Sequence, residues 1–170
     1  MSIEIIRQAL EAEAGFMHNA DRPATRGWAY QSIPELVLSE GVTFTFGHGR
    51  TRFRGEMRAC YANAFALMCR EPDVIYCEGY ALSDEVPIPL DHAWCCRPDG
   101  KILEPTWRYK NTAYLGIPLK REYVHECFLK RKQGCVLHAW RREWPMLTGE
   151  EPKKLWLETL KPVDIDKGKR

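Results

Sequence analysis

Between Arg58 and Cys69 the chain carries Ala59, Ala62, Ala64, Ala66, Leu67 and Met68 with no glycine or proline, a composition that commits the segment to a helix. Pro72 and Asp73 stop it. Three strand-like runs follow: Val74 to Leu82, His92 to Arg97 and Lys101 to Trp107, the last two separated by the turn Pro98-Asp99-Gly100. A helix followed by a meander, with further helices before and after, predicts an α+β domain with helices on both sides of an antiparallel sheet.

The flanks fill in the rest. Ile3, Ile6, Leu10 and Ala14 make a stripe at helical spacing, so residues 3 to 14 read as an amphipathic helix with Ser2 as N-cap, followed by a loop from Gly15 to Arg26. Ser32-Ile33-Pro34-Glu35 has the capping-box pattern and starts a short helix to about Ser39. Val42 to Phe46 alternates like a half-buried strand, ended by Gly47 and Gly49. Downstream, Lys120 to Gln133 reads as a helix stopped by Gly134, Glu150 to Leu160 as a helix with a Glu150/Lys154 pair, and residues 161 to 170 as a flexible polar tail. No repeat or Gly/Ser linker divides the chain, so residues 1 to 170 form a single expected domain.

Composition narrows the setting. In 170 residues, 25 Lys and Arg face 23 Asp and Glu, a formal charge of +2 that argues against a surface built wholly for phosphate contacts. The longest stretch without a formal charge, Ala59 to Cys69, is far shorter than the ~20 apolar residues of a membrane helix. The start, Met1-Ser2-Ile3-Glu4, lacks the basic and apolar pattern of a secretion signal. There are seven cysteines, an odd number, and no pair has Cys-x-x-Cys spacing, so neither a disulfide framework nor structural zinc is expected. A cytoplasmic protein in a reducing compartment is the expectation.

One cysteine stands apart. Cys60 lies at the start of the Ala-rich helix, where the helix dipole and unpaired N–H groups favour a thiolate. A thiol nucleophile needs a base, and His92, opening a strand, is the candidate. With a three-residue hairpin loop of Pro98, Asp99 and Gly100, Arg97 faces Lys101, Trp94 faces Glu104 and His92 faces Thr106. His92 and Glu104 then become diagonal neighbours on one face, with the Cys60 helix packing across that same face. A two-residue loop would flip the parity and turn Glu104 away.

The run Cys60-Tyr61-Ala62-Asn63-Ala64-Phe65, the strand containing Gly79-Tyr80, Asp91-His92-Ala93-Trp94 and Glu104-Pro105-Thr106 together resemble the core of the transglutaminase-like cysteine enzymes, relatives of the papain fold, over residues 57 to 107. The resemblance implies Cys60 as nucleophile, His92 as base and Glu104 as orienting acid, a Cys-His-Glu variant where the family has aspartate. It implies peptide or amide hydrolysis, deamidation or acyl transfer, with hydrolysis preferred, no cofactor, and a protein or peptide substrate or a small-molecule amide. The glutamate leaves a non-catalytic binding module on the same fold as the alternative.

An oxyanion needs donors, and the Cys60 backbone N–H is the natural first one. Gln31, His48 and Asn63 are candidates for the second, and Trp94 is a supporting residue beside His92. Asn63, one helical turn from Cys60, can equally serve only to support it. Cys95 is expected on the face opposite His92, Cys96 on the same face but further off, and Cys69 and Cys77 at core positions. A metal site from Cys77, His92 and Cys96 has no diagnostic spacing. Two basic clusters, Arg50, Arg52, Arg54 and Arg58 before Cys60, and Lys130-Arg131-Lys132 with Arg141 and Arg142, have Phe53, Tyr109, Trp140 and Trp144 nearby and raise nucleic acid or an acidic partner as a competing reading. Solvated arginines on a strand face and a basic helix end account for them more simply.

Overall fold

The computed structural model describes residues 3–20, 23–44, 49, 51–109, 112–139 and 143–161. Helix α1, Ile3–Asn19, buries Ile6 and Leu10 and runs on through Gly15, where the sequence suggested a loop. An interior glycine costs only about 0.5–1 kcal/mol, too little to stop a helix already nucleated and docked. Helix α2, Ile33–Glu40, has the expected reciprocal cap: Ser32 Oγ accepts from the Glu35 N–H at 3.2 Å, and the Glu35 carboxylate accepts from the Gln31 N–H at 2.6 Å. Strand β1, Val42–Phe44, follows, and helix α3, Cys60–Arg70, starts the central unit.

That unit continues with β2, Ile75–Leu82, β3, Leu90–Cys96, β4, Ile102–Leu103, and β5, Ala113–Leu119. Together with β1 they make one antiparallel sheet in the order β1-β5-β2-β3-β4. Strand β5 was absent from the sequence reading because Gly116 and Pro118 both disfavour strands. Gly116 is needed: a Cβ there would lie 2.5 Å from both the Glu78 carbonyl oxygen and the Trp94 ring. Pro118 is tolerated because its carbonyl accepts from Glu158 N–H, so its missing N–H faces away from β2, on the side where β1 has already ended at Gly116.

Strand alternation divides the sheet into two faces. Tyr76, Tyr80, Leu82, Ala93, Cys95, Leu103, Leu115, Ile117 and Leu119 pack with the buried residues of α1, α2 and α3 in one large core. The other face carries Cys77, Ala81, Trp94, Cys96, Ile102, Tyr114 and Phe44 in a smaller cluster. The buried residues of the helices gather on the first face, among the described residues, which corrects the expectation of helices on both sides: the architecture is α+β with a helical layer against one sheet face.

The end of the chain also differs from the sequence reading. The expected helix 120–133 is α4, Arg121–His125, followed by a π-helical turn, Glu126–Lys130, whose Phe128 stacks on Phe65 with ring centroids 4.3 Å apart. Short helix α5, Pro145–Thr148, was not foreseen, and the helix expected over 150–160 shrinks to α6, Lys153–Trp156. There the chain turns extended because Leu157 bridges to Leu119, and Glu158 N–H reaches Pro118, filling the side of β5 that β1 leaves open. No Glu150/Lys154 pair is needed; Lys153 instead meets Glu40 at 2.6 Å. Among the described residues no helix is long and apolar enough to cross a membrane. Ser2, residues 45–48 and the tail beyond Lys161 lie outside the described residues.

Candidate active site

Cys60 is the first residue of α3, and Ala59 ahead of it provides no side-chain cap, so no side chain occupies the first-turn N–H groups beside the thiol. Arg58 takes a left-handed backbone conformation, φ 68°, on entry to this turn. Such a conformation costs a non-glycine residue about 1–3 kcal/mol and persists where surroundings enforce it. Gly55 donates its N–H to the Pro105 carbonyl at 2.9 Å, and Asn63 donates to the Glu56 carbonyl at 2.7 Å and to Thr106 Oγ1 at 2.9 Å. These bonds pin the segment before Cys60 to the strand end that carries Glu104.

Across the hairpin, Cys95 pairs with Leu103 and Cys96 with Ile102, while Arg97 N–H donates to the Lys101 carbonyl at 2.9 Å and Gly100 takes φ 82°. This is the three-residue loop, and its parity puts Glu104 on the same side as His92. Strand β4 is only two residues long because Glu104 Oε1 accepts from the N–H groups of Thr106 and Trp107, at 2.7 and 2.9 Å, and diverts that backbone from the ladder.

His92 Nε2–H donates to Glu104 Oε2 at 2.9 Å, and Tyr114 O–H donates to the same oxygen at 2.9 Å. Both Glu104 oxygens are thus doubly engaged, and Arg54 donates to the Glu104 main-chain carbonyl. Burial alone would raise the carboxyl's pKa, but the His92 hydrogen bond and charge, with the two backbone N–H groups, hold it below the usual range. Burial likewise opposes charge on His92; hydrogen bonds to Cys60 and Glu104 overcome that and raise its pKa to about 9. With Nε2 taken by Glu104, Nδ1 is the ring nitrogen left for Cys60. Trp107 stacks on the imidazole at 4.1 Å between centroids, and Trp94 and Tyr114 lie at 6.3 and 6.2 Å, so the ring is held by aromatic walls.

Helix α3 reaches His92 differently from the sequence expectation. It packs on the face bearing Ala93 and Cys95, whose Sγ donates to the Ala64 carbonyl at 3.2 Å, whereas His92 alternates to the opposite face. The link to His92 comes from Cys60, the first residue of the helix, at the edge of β3 that β4 leaves unpaired below Cys95.

Other candidate residues have different places. Both amide hydrogens of Asn63 are committed to Glu56 and Thr106, which makes it a clamp rather than a free donor. Trp94 is fully buried in the smaller cluster, with Phe44 edge-on at 5.3 Å, and its indole N–H has no hydrogen-bond partner among the described residues. Gln31 lines a cavity whose walls include neither Cys60 nor His92. His48 and Arg50, with Trp140, Arg141 and Arg142 of the second basic cluster, lie outside the described residues. Arg131 is paired with Glu126 and Glu151 at 2.5 and 2.8 Å.

All seven cysteines are free thiols. Burial pushes the Cys77 and Cys95 thiols well above their usual range, raises Cys127 and Cys135 to about 12 and raises Cys69 as well. Cys69, placed in the core by the sequence reading, is exposed in the last turn of α3. Cys77 and Cys96 sulfurs approach to 3.6 Å, yet no group of three or more His, Cys, Asp or Glu side chains is arranged for a metal among the described residues. Tyr114 was missed because β5 was missed, and Trp107 because its packing on His92 follows from the turn that Glu104 makes. Glu78 was missed too: this buried carboxylate accepts from Val136 and Leu137 N–H groups at 2.6 and 2.8 Å and from Tyr76. Compared with known proteins, the chain matches no family model, no curated protein and no solved structure.

Proposed function

We propose that this chain is a thiol enzyme of transglutaminase-like, papain-related type that forms a thioester on Cys60 and cleaves or transfers an amide-type acyl group. The observation that carries the reading is the buried His92, hydrogen-bonded to Glu104 through Nε2, with the Cys60 thiol among the groups that raise its pKa. In this mechanism Cys60 gives its thiol proton to His92 Nδ1 as Sγ attacks the carbonyl carbon and the carbonyl electron pair moves to oxygen, where the Cys60 backbone N–H at the uncapped helix start receives it. His92 Nδ1–H then passes that proton to the amine nitrogen as the oxygen pair re-forms the carbonyl and the C–N bond breaks, leaving a thioester. Water attacks the thioester and gives a proton to Nδ1; the carbonyl re-forms, the C–S bond breaks, the acid leaves and Sγ takes the Nδ1 proton back. Glu104 holds the ring in the tautomer that keeps Nδ1 available. An amine in place of water gives acyl transfer; hydrolysis is the preferred outcome. The substrate is a protein, a peptide or a small amide, no cofactor takes part, and the reducing cytoplasm is the setting that suits a thiolate.

A chromogenic ester such as p-nitrophenyl acetate tests the reading. The expected result is a burst of nitrophenolate, an acetyl adduct mapped by mass to Cys60, and loss of both in Cys60→Ala. Acetylation spread over the cysteines, or none at Cys60, overturns the assignment.

A further inference from the structure

On the helical side of the sheet a cavity of about 390 Å3 opens between α1, the start of α2, β2, β3 and the segment entering α5. That is the size of a small-molecule site. Asp91 and Tyr80, paired across β3 and β2, both line it. His138 Nε2 lies 3.5 Å from Asp91 Oδ1, and Glu13 of α1 joins the lining. Two partly exposed indoles, Trp28 and Trp144, form a wall with ring centroids 6.1 Å apart and planes tilted by 47°. Trp144 is held there by unusual backbone: Glu143 and Trp144 are consecutive non-glycine residues at φ 57° and 50°. Such conformations cost a non-glycine residue about 1–3 kcal/mol each and persist where the surrounding structure over-determines them.

Among the described residues no lysine or arginine lines this space, and two carboxylates face a single histidine. A helix N-terminus such as that of α2 would favour an anion, but here Ser32 Oγ takes the Glu35 N–H, the Glu35 carboxylate lies over the same turn on the Gln31 N–H, and Pro34 has no N–H to give. What remains is carboxylate below and aromatic faces beside, the environment that recognises a desolvated cation.

We propose that this cavity binds an organic cation, an alkyl ammonium or guanidinium group, between Asp91, Glu13 and the rings of Trp28 and Trp144. The group is carried either by a basic peptide side chain or by a free polyamine, and its binding does not depend on chemistry at Cys60. The site lies on the sheet face opposite His92, one residue away along β3, so an occupant and the thiol would share the strand without sharing a pocket.

Indole fluorescence of the full chain is the readout, with N-acetyl-arginine amide, N-acetyl-lysine amide and spermidine as probes and the citrulline amide as neutral isostere. Saturable change with at least one cation, with affinity for citrulline amide lower by roughly tenfold or more, is the expected result. Asp91→Asn should weaken the cation by a similar factor and Trp144→Phe by less, while Cys60→Ala binds unchanged. Preference for the amino-acid amides assigns the cation to a peptide, and preference for spermidine to a free polyamine. No saturable change with any cation, or equal binding of arginine and citrulline amides, overturns the proposal; because Cys60→Ala retains the cavity, failure here is distinct from failure of the thiol reading.

Discussion

His92 meets Glu104 at 2.9 Å with 1% and 6% of the side chains exposed, whereas its neighbour Asp91 meets His138 at 3.5 Å with 49% and 36% exposed. Adjacent residues of one strand point to opposite faces, so a single position in sequence separates a sealed pair from an open one. In the sealed pair the acid is saturated by His92, Tyr114 and two backbone N–H groups, and aromatic rings exclude water. A buried charge pair stands only if its remaining lone pairs are also satisfied. In the open pair Asp91 still faces a cavity and solvent and can exchange one partner for another. The first arrangement suits fixed orientation of a proton carrier, and the second suits reversible recognition.

The sharpest way to break this contrast is to remove one acid from each pair. Glu104→Ala leaves a buried imidazole, the Tyr114 hydroxyl and two N–H groups without their acceptor, and should lower unfolding stability by about 3–5 kcal/mol, read from the denaturant midpoint. If instead the midpoint hardly moves, the sealed pair is not the tightly coupled unit described. A smaller loss is expected at the clamp beside it. In Gly55→Ala the new Cβ would lie 1.8 Å from Asn63 Oδ1, so the Asn63 bridge to Glu56 and Thr106 must shift, at about 1–3 kcal/mol.

The pH dependence separates the pairs more gently. Because folding raises His92 to about 9 from an unfolded value near 6.5, its contribution is fully present below about pH 6.5 and is lost as pH rises through about 9. Stability followed from pH 6 to 10 should therefore fall more steeply in the parent chain than in His92→Gln; parallel curves would contradict this. His138 is raised in the same direction, first by its hydrogen bond to Asp91, but exposure screens that pair. The smallest effect follows: Asp91→Asn should change stability by less than about 1 kcal/mol while still weakening cation binding. A large stability loss there would show that the open pair is structural.

Much of the site's framework was legible in local chemistry. The Pro98-Asp99-Gly100 turn sets hairpin parity, and parity alone puts Glu104 beside His92. The uncapped helix start at Cys60 followed from Ala-rich composition, and the α2 cap from its four-residue pattern. What escaped was decided by neighbours distant in sequence. Gly116 and Pro118 argue against a strand until Trp94 is seen filling the space above one and β1 ending before the other. With β5 went Tyr114, the fourth partner of Glu104. The 150–160 helix lost to backbone groups left open on β5, a competition that no pattern within 150–160 records. The face chosen by α3 was also a tertiary outcome, set by the packing of Ala64, Leu67 and Met68 against Ala93 and Cys95.

Cys69 supplies the internal reference for the central claim, because it lies on the same helix as Cys60, is exposed, and has its own histidine, His125 Nε2, 3.6 Å from its sulfur, while partial desolvation raises its thiol pKa. Alkylation of the full chain by iodoacetamide at neutral pH, with each site followed by mass, compares the two directly. Activation by His92 predicts that Cys60 reacts roughly tenfold faster than Cys69 or more, and that His92→Ala removes the difference. A Cys60 no faster than Cys69, or a difference that survives His92→Ala, would contradict the assignment of Cys60 and His92 as a nucleophile and its base.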